Sequence, residues 1–428
     1  MPQFKTVRGM RDFLPEEAKI MKYIEDKARK VAELYGYQEI ITPVVESYEL
    51  LAAKSGEEIR SRMFAFRDLG DRMVALRPEF TASVARLVAT TLKNEPKPLR
   101  LFSVGSVYRY DEPQRGRYRE FWQSNYELMG SDKPEADAEI IMLTNSLMNA
   151  VGLRNCTFKI GHVGVLRGIM TEEKLEEKTQ NSAMQLMDKK LYDDAFKLVK
   201  DAGVKEKCVT TLEKLVELKG ADVFETVEKL KECVRNYKKA EAAAENLYEI
   251  LKLISESKSK IDITVDAGFA RGLEYYTGMI FEVTVPEIDT ALGGGGRYDR
   301  LIELFGGEPT PAVGVAHGID RIMLAIQTQK VPLEKMEKNK VVIIPTKEEF
   351  IGKAMEISRM LRDASIPTEV EVMGRKITKA LEDADRRQIK YAIIVGEKEL
   401  KEEAVVLRDL AKREQKTVKI RKIIDEIA

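Results

Sequence analysis

Apolar residues recur at helical spacing in some stretches of the chain and at strand spacing in others. Residues 15–36 carry apolar side chains every three or four positions and predict a helix from Pro15 to a cap at Gly36. Further helices are predicted over 78–92 and about 134–150. Strands are predicted over 39–42, 100–110, 119–128, 261–266 and 278–285, the second and third forming a long antiparallel hairpin. The glycine run at 293–296 predicts a turn or a close backbone approach.

Two changes in composition divide the rest of the chain. Residues 168–257 are rich in Lys, Glu, Leu and Ala with almost no Gly or Pro, which predicts a helical insertion. That insertion is either a substrate clamp or a solvated helical hairpin of no special role. Residues 328–339 are polar and predict a linker, after which strand-like and helix-like runs alternate over 340–428. Such alternation is typical of a small α/β domain with its own buried sheet.

Composition and charge exclude several classes of function. Lys+Arg and Asp+Glu both number 71, so the formal net charge is zero and any RNA contact must come from local basic surfaces. No apolar stretch approaches the ~20 residues of a membrane-spanning helix, and the first residues lack the apolar core of a signal peptide. We therefore expect a cytoplasmic protein. Three scattered cysteines and two histidines argue against a disulfide framework and against a metal site built on several imidazoles.

The segment 102–128, FSVGSVYRYDEPQRGRYREFWQSNYEL, carries the most informative chemistry. It holds four arginines with aromatic residues on both flanks, and the planar guanidinium suits phosphate and carboxylate groups. Alternate residues of a strand share one face. Four side chains are therefore expected to converge over one sheet surface: Arg109, Asp111, Gln123 and Glu127. The alternative is a solvated, charged hairpin.

Five further stretches accompany this segment in a fixed order. They are GYQEIITPVVE at 36–46, LRPEFTASVAR at 76–86, ARGLEYYTGMIFE at 270–282, GGGGRYDRL at 293–301 and PAVGVAHGIDRIML at 311–324. GYQEIITPVVE resembles motif 1 of class II aminoacyl-tRNA synthetases, the hairpin segment resembles motif 2, and PAVGVAHGIDRIML resembles motif 3. LRPEFTASVAR resembles their amino-acid-binding loop. ARGLEYYTGMIFE resembles the histidine-specific signature, and GGGGRYDRL resembles its usual companion. The PQRGRYREF wording resembles the histidyl-tRNA synthetases, and DEPQRGRYREFWQ their archaeal/eukaryotic-like branch.

The resemblance implies an α+β fold with a class II antiparallel-sheet catalytic domain over 1–167 and 258–327. The insertion at 168–257 interrupts that domain, and the α/β domain at 340–428 resembles the anticodon-binding domain of the class IIa subgroup. The implied activity is histidine–tRNA ligation, in which L-histidine and ATP give histidyl-adenylate and the histidyl group then passes to the 3′ end of histidine tRNA. Motif 1 implies a homodimer, and Mg²⁺ is expected on the pyrophosphate end of ATP, its protein ligands being unknown. Neither DNA nor a membrane is expected as a partner.

The same resemblance assigns the residues around ATP. Arg109 would hold the α-phosphate and the substrate carboxylate, with Arg271 opposite it at the α-phosphate. Arg321 and Arg117 would hold the β- and γ-phosphates, and Phe121 would stack on adenine. These roles need positioning and charge stabilisation rather than a nucleophilic side chain.

Asp111 departs from the usual family pattern, which has Arg–x–Glu where this chain has Arg–Tyr–Asp. Asp111 therefore either contacts adenine or pairs with a loop arginine such as Arg115. The neighbouring Glu112 is expected to point to the other face of the strand.

Residues that resemble the histidine-binding set complete the site. Glu79, Thr81 and Gln123 resemble the residues that bind the α-amino group. A carboxylate and a phenol can engage both imidazole nitrogens at once, and Glu127 with Tyr276 or Tyr275 resembles that pair. One of the two tyrosines is alternatively core packing, because successive strand residues face opposite ways.

Simpler, structural roles also fit some of the polar residues. Glu79 is alternatively no more than a helix cap near Pro78, and His162 and His317 are expected to be structural rather than catalytic. A regulatory subunit of histidine biosynthesis that resembles a synthetase would typically lack the C-terminal domain and the reactive arginines. A class IIa synthetase for another amino acid is disfavoured by RGLEYYTG.

Overall fold

The computed structural model describes residues 4–53, 57–271, 274–333 and 340–427. The chain divides into two compact units, Met1–Pro332 and Leu333–Ala428. The helix that precedes the boundary continues to Gln329, two residues into the predicted linker, and residues 334–339 of that linker lie outside the described residues. Among the described residues no helix is long and apolar enough to cross a membrane.

The strands of the first unit are β1 Gln38–Glu39, β2 Val45–Ser47, β3 Ala65–Arg67, β4 Met73–Leu76, β5 Leu99–Tyr108, β6 Glu120–Met129, β7 Thr157–His162, β8 Lys219–Gly220, β9 Asp262–Asp266, β10 Met279–Val285, β11 Ile288–Arg297 and β12 Ala312–Gly318. Its helices are α1 Pro15–Leu34, α2 Tyr48–Ala52, α3 Glu57–Arg60, α4 Thr81–Ala89, α5 Pro134–Ala150, α6 Val163–Glu172, α7 Glu177–Asp188, α8 Tyr192–Asp201, α9 Glu206–Glu217, α10 Val223–Val234, α11 Lys238–Glu256, α12 Leu301–Leu304 and α13 Ile319–Gln329.

The strands that alternation predicted form the centre of one large sheet. In the described residues its order is β1-β5-β6-β12-β11-β10-β7-β9-β8, and the run from β5 to β7 is antiparallel throughout. The α+β prediction with a large antiparallel sheet is therefore confirmed. Helices fill most of the predicted insertion from α6 to α11.

One local prediction is wrong, and one of the two alternatives for the glycine run is not found. The strand expected over 39–42 ends at Glu39, and Pro43, which has no N–H to give to a ladder, separates it from β2. The glycine run at 293–296 belongs to β11 rather than to a turn.

Helices cover one face of this sheet. On that face the Tyr126 hydroxyl of β6 donates to Ala28 O of α1 at 2.8 Å, and the His317 ring of β12 lies 3.1 Å from the Thr144 hydroxyl of α5. Because neighbouring strand residues point to opposite sides, Gln123 and Glu127 of β6 face the other side.

The second unit has its own parallel-centred sheet, as the alternating pattern predicted. Its strands are β13 Val341–Pro345, β14 Thr368–Val370, β15 Tyr391–Val395, β16 Ala404–Asp409 and β17 Glu414–Lys419, in the order β14-β13-β15-β16-β17. Its helices are α14 Ile351–Asp363, α15 Ile377–Arg386, α16 Glu397–Leu400 and α17 Ile423–Ile427. Apolar side chains are buried on both faces of β13, which gives the unit a core of its own.

Candidate active site

A cavity of about 500 Å³ lies on the opposite face of the large sheet. Alternate residues of the central strands share this face, and the register of β6, β12 and β11 places there Gln123, Glu127, Gly314, Gly294 and Gly296. The loop between β5 and β6, the start of α13 and the segment before β10 add to the lining, and so do Ile59, Arg62, Glu79, Thr81 and Asp188. Residues from widely separated stretches of the sequence therefore meet in one place.

The glycine run of β11 leaves room for side chains from the segment before β10. A Cβ on Gly294 would overlap the Arg271 guanidinium, and a Cβ on Gly296 would lie 3.0 Å from the ring of Tyr276. Both glycines lie within regular strand pairing. Glycine is therefore needed at these positions because a side chain would not fit, and not because the backbone is left-handed. The close approach predicted for this run is therefore present.

Arginines gather at one end of the cavity, which we call the arginine end (Arg109, Asp111, Arg117, Phe121 and Arg321). Arg109 Nε donates to Pro78 O at 2.9 Å, and its guanidinium lies 5.5 Å from the centre of the Phe121 ring. Arg321 donates to Ala291 O at 2.8 Å. Burial, followed by the charges of Arg109 and Arg117, lowers the pKa of Arg321 to about 10. Within this set three arginines face one carboxylate, so positive charge is in excess.

Asp111 is the acidic member of this end. One of its oxygens accepts from Arg62 at 3.1 Å, and the other lies 3.9 Å from Arg117 Nε. Glu112 is instead exposed and pairs with Arg8 at 2.7 Å. Both acids lie beyond β5, which ends at Tyr108, so strand alternation is the wrong reason for their different directions.

Arg271 lies between this end and the tyrosines. It donates to Phe281 O at 3.2 Å, lies 3.5 Å from Glu282, and its guanidinium is 6.0 Å from the centre of the Tyr276 ring. The neighbouring residues 272–273 lie outside the described residues. Arg271 thus adds a further cation to the cavity at a position fixed by the space above Gly294.

Buried acids and phenols form the other end, which we call the tyrosine–carboxylate end (Glu79, Thr81, Gln123, Glu127, Tyr275, Tyr276 and Tyr298). Tyr275 and Tyr276 both line the cavity and both are buried. They precede β10 instead of lying in it, so the expectation that one of them packs into the core by strand alternation is wrong. The Tyr275 hydroxyl donates to Glu79 Oε2 at 3.1 Å.

Glu79 is held in a largely buried position below α4. Burial raises the pKa of its carboxyl, while the charge of Arg109 and hydrogen bonds from Tyr275, Thr81 and the Ala82 backbone oppose that rise. Glu79 thus touches the start of a helix, as its capping alternative predicted, and also faces the cavity.

Glu127 is brought to the same end but does not itself line the cavity. It is 1% exposed, and its carboxylate accepts from Thr81 Oγ1 at 2.7 Å, from Asn125 Nδ2 at 2.9 Å and from the Tyr298 hydroxyl. Burial raises its pKa to about 7 despite these donors. A Cβ on Gly314, directly opposite in β12, would overlap the carboxylate. Of the four residues predicted to converge, Arg109, Asp111 and Gln123 line the cavity. Glu127 lies beneath the cavity wall.

Gln123 contributes an unusual acceptor. The residue is 8% exposed and lines the cavity, and its Oε1 is buried without a hydrogen-bond partner among the described residues. Since buried polar atoms are almost always paired, this oxygen is suited to a donor brought by a ligand.

The two histidines have structural partners. His162 Nδ1 accepts from Gly164 N at 3.1 Å, and its Nε2 lies 3.2 Å from Asn246 Oδ1. His317 is completely buried beside Thr144 and Ser124. Burial lowers the pKa of His162 to about 4 and of His317 to about 3. Both rings are therefore neutral at ordinary pH.

Sequence reasoning assigned no role to several residues that line the cavity, among them Arg62, Tyr298 and Asp320. Tyr298 belongs to the GGGGRYDRL stretch, which the sequence analysis connected with the site. That stretch did not by itself indicate a role for Tyr298. Asp320 accepts from Trp122 N at 2.6 Å and pairs with Arg11, an arrangement that no local spacing reveals. No cluster of three metal-ligating side chains suited to an ion occurs in the described part of the chain.

Comparison with known proteins places the chain in a family. The model of the family described as histidyl-tRNA synthetase matches residues 9–322, and that of the anticodon binding domain matches residues 340–428. The histidine–tRNA ligase of Methanocaldococcus jannaschii is 44% identical over 419 residues, which cover 97% of this chain and 98% of the relative. That of Saccharolobus solfataricus is 38% identical over 430 residues, covering 100% and 99%.

Solved structures agree on the fold. The histidyl-tRNA synthetase of Nostoc sp. PCC 7120 matches with a TM-score of 0.80 at 22% identity, covering 100% of this chain and 99% of that one. A Bacillus halodurans protein described as an ATP phosphoribosyltransferase regulatory subunit/histidyl-tRNA synthetase matches with a TM-score of 0.76 at 27% identity, covering 89% and 96%. Its description names both functions, so this likeness does not separate a synthetase from a regulatory relative. The near-complete family match and the archaeal relatives together show that this chain belongs to the histidyl-tRNA synthetase family.

Proposed function

We propose that this chain is a histidine–tRNA ligase that forms histidyl-adenylate and then transfers histidine to the 3′ end of histidine tRNA. The observation that carries the proposal is one cavity with two chemically different ends. Buried carboxylates and phenols suit an amino acid with an imidazole ring, and a cluster of arginines suits a polyphosphate. Their adjacency brings a carboxylate and an α-phosphate within reach of each other.

The arginine end handles ATP in this proposal. Arg109 and Arg271 flank the α-phosphate, where the histidine carboxylate attacks and pyrophosphate leaves. Arg321 and Arg117 hold the β- and γ-phosphates, and Phe121 stacks on adenine. Because the arginines already repel one another, phosphate binding relieves an existing electrostatic cost. Catalysis then rests on orientation and on stabilising the charge of phosphoryl oxygens, without a covalent enzyme intermediate.

The tyrosine–carboxylate end holds histidine. The α-amino group, which has three N–H donors, is placed between Glu79, Thr81 and the unpaired Oε1 of Gln123. The carboxylate is left facing Arg109, and the ring extends toward Tyr276 and the wall that covers Glu127. Buried polar groups left unpaired by a wrong amino acid reject it strongly, by about 10⁴–10⁵ in well-built sites.

Several partners belong to the proposal as well. Mg²⁺ enters with ATP as part of the substrate, since this ion keeps to phosphate oxygens and waters and takes few protein ligands. A homodimer through the motif 1 region is supported by exposed apolar side chains there, with Ile41 94% and Val45 44% exposed. Charging of tRNA in the cytoplasm, with no DNA or membrane partner, completes the assignment.

A regulatory relative is disfavoured by specific residues. The arginines such a protein would lose, Arg109, Arg271 and Arg321, all line the cavity. The chain also carries a C-terminal unit whose residues 340–428 match the anticodon binding domain.

The test is ATP–pyrophosphate exchange by the full chain across a panel of amino acids. Exchange with histidine alone is the expected result, and exchange with another amino acid or none would refute the ligase assignment.

A second experiment tests the role of the C-terminal unit. A chain ending at Pro332 keeps every residue of the cavity and should exchange pyrophosphate with histidine while charging tRNA poorly. If the fragment charges tRNA as well as the full chain does, the anticodon role of the C-terminal unit is wrong. If the fragment folds but does not exchange pyrophosphate, the assignment of adenylation to the first unit alone is wrong.

A further inference from the structure

The segment that precedes α1 lies against the loop between β5 and β6. In this segment, which we call the pre-α1 segment (residues 7–14), Gly9 O accepts from Arg119 N at 2.8 Å. A Cβ on Gly9 would lie 2.7 Å from Arg119 Cγ, so the two stretches are in close contact. Phe13 packs edge-on against Trp122, with ring centroids 5.3 Å apart. The pre-α1 segment therefore supports the loop and the strand that carry two residues of the arginine end.

Arg11 makes the most contacts of this segment that bear on the cavity. Its guanidinium carbon lies 3.7 Å from the centre of the Tyr118 ring and 4.5 Å from that of Phe13. Its Nη2 donates to Asp320 Oδ1 in an ion pair. Tyr118 and Asp320 line the cavity, and Arg11 does not. Arg11 thus connects the loop and the start of α13 from outside the cavity.

Asp320 is a carboxylate in the wall of a cavity that suits phosphates. It lines the cavity directly before Arg321, and its side chain is 2% exposed. Its Oδ1 accepts from Arg11, and its Oδ2 accepts from Trp122 N at 2.6 Å. Burial raises the pKa of Asp320, whereas the Trp122 N–H and Arg11 oppose that rise. Without Arg11, a buried negative charge would be left uncompensated in this wall.

We propose that Arg11 is a positioning residue for ATP, which acts from outside the cavity by neutralising Asp320 and by stacking on Tyr118. The inference rests on the proposed function, because it concerns the phosphates at the arginine end. A carboxylate repels a polyphosphate, and the repulsion is stronger where burial lowers the effective dielectric constant. Pairing with Arg11 offsets this repulsion, while the second oxygen of Asp320 fixes the backbone of β6 at Trp122. Stacking on Tyr118 fixes the loop next to Arg117.

Arg321 does not take the place of Arg11 as the partner of Asp320. It donates to Ala291 O at 2.8 Å. Burial and the charges of neighbouring arginines lower the pKa of Arg321, and the acid that opposes them is Glu282. Arg11 therefore compensates Asp320 and leaves the charge of Arg321 for the phosphates.

The experiment measures the KM of ATP and of histidine in pyrophosphate exchange by the full chain, and the Kd of MgATP by calorimetry without histidine. Arg11→Ala should raise the KM and the Kd of ATP at least about tenfold, with the histidine KM within about twofold of its original value. Arg8→Ala is the matched control, because Arg8 belongs to the same segment but forms an exposed pair with Glu112 at 2.7 Å. This control should leave both ATP values unchanged.

A second substitution separates the effect of charge from the loss of packing. Asp320→Asn removes the negative charge and keeps an oxygen that can accept from Trp122 N. Added to Arg11→Ala, it should lower the ATP KM at least about threefold, toward that of the unchanged protein. A purely structural role of Arg11 predicts no such recovery, since asparagine at position 320 does not restore the contacts that Arg11 made with Tyr118 and Phe13.

Three outcomes overturn the inference: an unchanged ATP KM in Arg11→Ala, an equal rise in the KM of both substrates, or no recovery in the double variant. If Arg11→Ala does not fold, Arg11→Gln decides, because glutamine keeps a hydrogen-bond donor without the charge. A raised ATP Kd then supports the inference, and an unchanged one refutes it. If the unchanged protein binds ATP but exchanges no pyrophosphate with histidine, the proposed function is wrong, and the ATP Kd still decides the role of Arg11.

Discussion

The two ends of the cavity hold their polar groups in opposite ways. At the tyrosine–carboxylate end, Glu79 and Glu127 are buried and each accepts a phenol proton, so the groups are ordered before any ligand arrives. At the arginine end, Arg117 and the partner Arg62 of Asp111 are each 39% exposed, and like charges lie close together. One end is preorganised by hydrogen bonds, and the other stores unbalanced positive charge that a polyphosphate neutralises.

Because of this difference, selection of the amino acid and affinity for ATP should depend on different ends of the cavity. Rejection of a wrong amino acid depends on fixed, paired donors and acceptors, which only the buried end has. Attraction of ATP depends on charge, which tolerates mobile side chains and is weakened by salt. Substitutions at one end should therefore change the KM of one substrate and leave the other nearly unchanged.

The largest effect is expected at Arg271, which belongs to neither end alone. In the proposed arrangement Arg271→Ala removes a positioned cation from the reacting phosphate, and it should slow histidyl-adenylate formation by about 10²–10³. Single-turnover kinetics measures this step directly. Near-normal adenylation would show that Arg271 does not stabilise the reacting phosphate.

The next effect should appear at Gly314 and be confined to histidine. Gly314→Ala inserts a methyl group into the space of the Glu127 carboxylate. Displacing this buried polar group should cost about 1–3 kcal/mol of histidine binding free energy, which corresponds to roughly a tenfold to hundredfold rise in the histidine KM. The ATP KM should stay within twofold or so.

Gly318→Ala provides a control in the same strand, because its Cβ would meet only ordinary contacts at 3.5 Å. An equal rise in the ATP KM of Gly314→Ala would indicate that the two ends are not independent.

A smaller effect, of the opposite selectivity, is expected at Asp111. If Asp111 contacts adenine, Asp111→Ala should cost about 1.5 kcal/mol of ATP binding free energy and raise the ATP KM roughly tenfold, with the histidine KM unchanged. A direct adenine contact predicts in addition a weaker preference for ATP over GTP, whereas pairing with arginine predicts no change in that preference.

Glu112→Ala is the matched control for Asp111, since Glu112 is exposed and pairs with Arg8. If Glu112→Ala alone raises the ATP KM, the assignment of motif 2 is shifted by one residue and Arg109 must be reassigned with it.

The smallest effect is a pH dependence that only the buried end should show. Because burial raises the pKa of Glu127 to about 7, this carboxyl takes up a proton as pH falls through that value and weakens its hold on Tyr298. The histidine KM should therefore rise below about pH 7, by less than tenfold per pH unit.

Free histidine also titrates, near pH 6.5, so the profile is compared with that of Glu127→Gln. The substrate contribution is common to both proteins, and the excess rise should disappear in the variant. Parallel profiles would show that Glu127 does not titrate in this range.

Sequence alone predicted the family and the sheet correctly, and both predictions are confirmed. Alternation identified the hairpin of β5 and β6 because one face is buried against helices, which imposes a strict period of two. The helix signal at Pro15 was reliable because this proline begins its helix.

Some features of the site depend on contacts that no local pattern contains. The burial of Glu127 depends on Gly314, which lies far away in sequence and becomes its neighbour only through strand register. Tyr275 and Tyr276 were misjudged because a loop, rather than a strand, carries them. The site roles themselves remain predictions, which the substitutions above address.

The central place of β12 has a consequence for how the protein is made. This strand, Ala312–Gly318, lies between β6 and β11, yet β6 is complete at Met129. At about 5–20 residues per second, a ribosome needs roughly 10–40 s to synthesise the chain between them. Through that interval the edge of β6 lacks its partner, and unpaired strand edges are prone to pair with other chains. Nascent chains of this protein are therefore exposed to aggregation, and to chaperones that bind open strand edges, until the motif 3 strand emerges and closes the sheet.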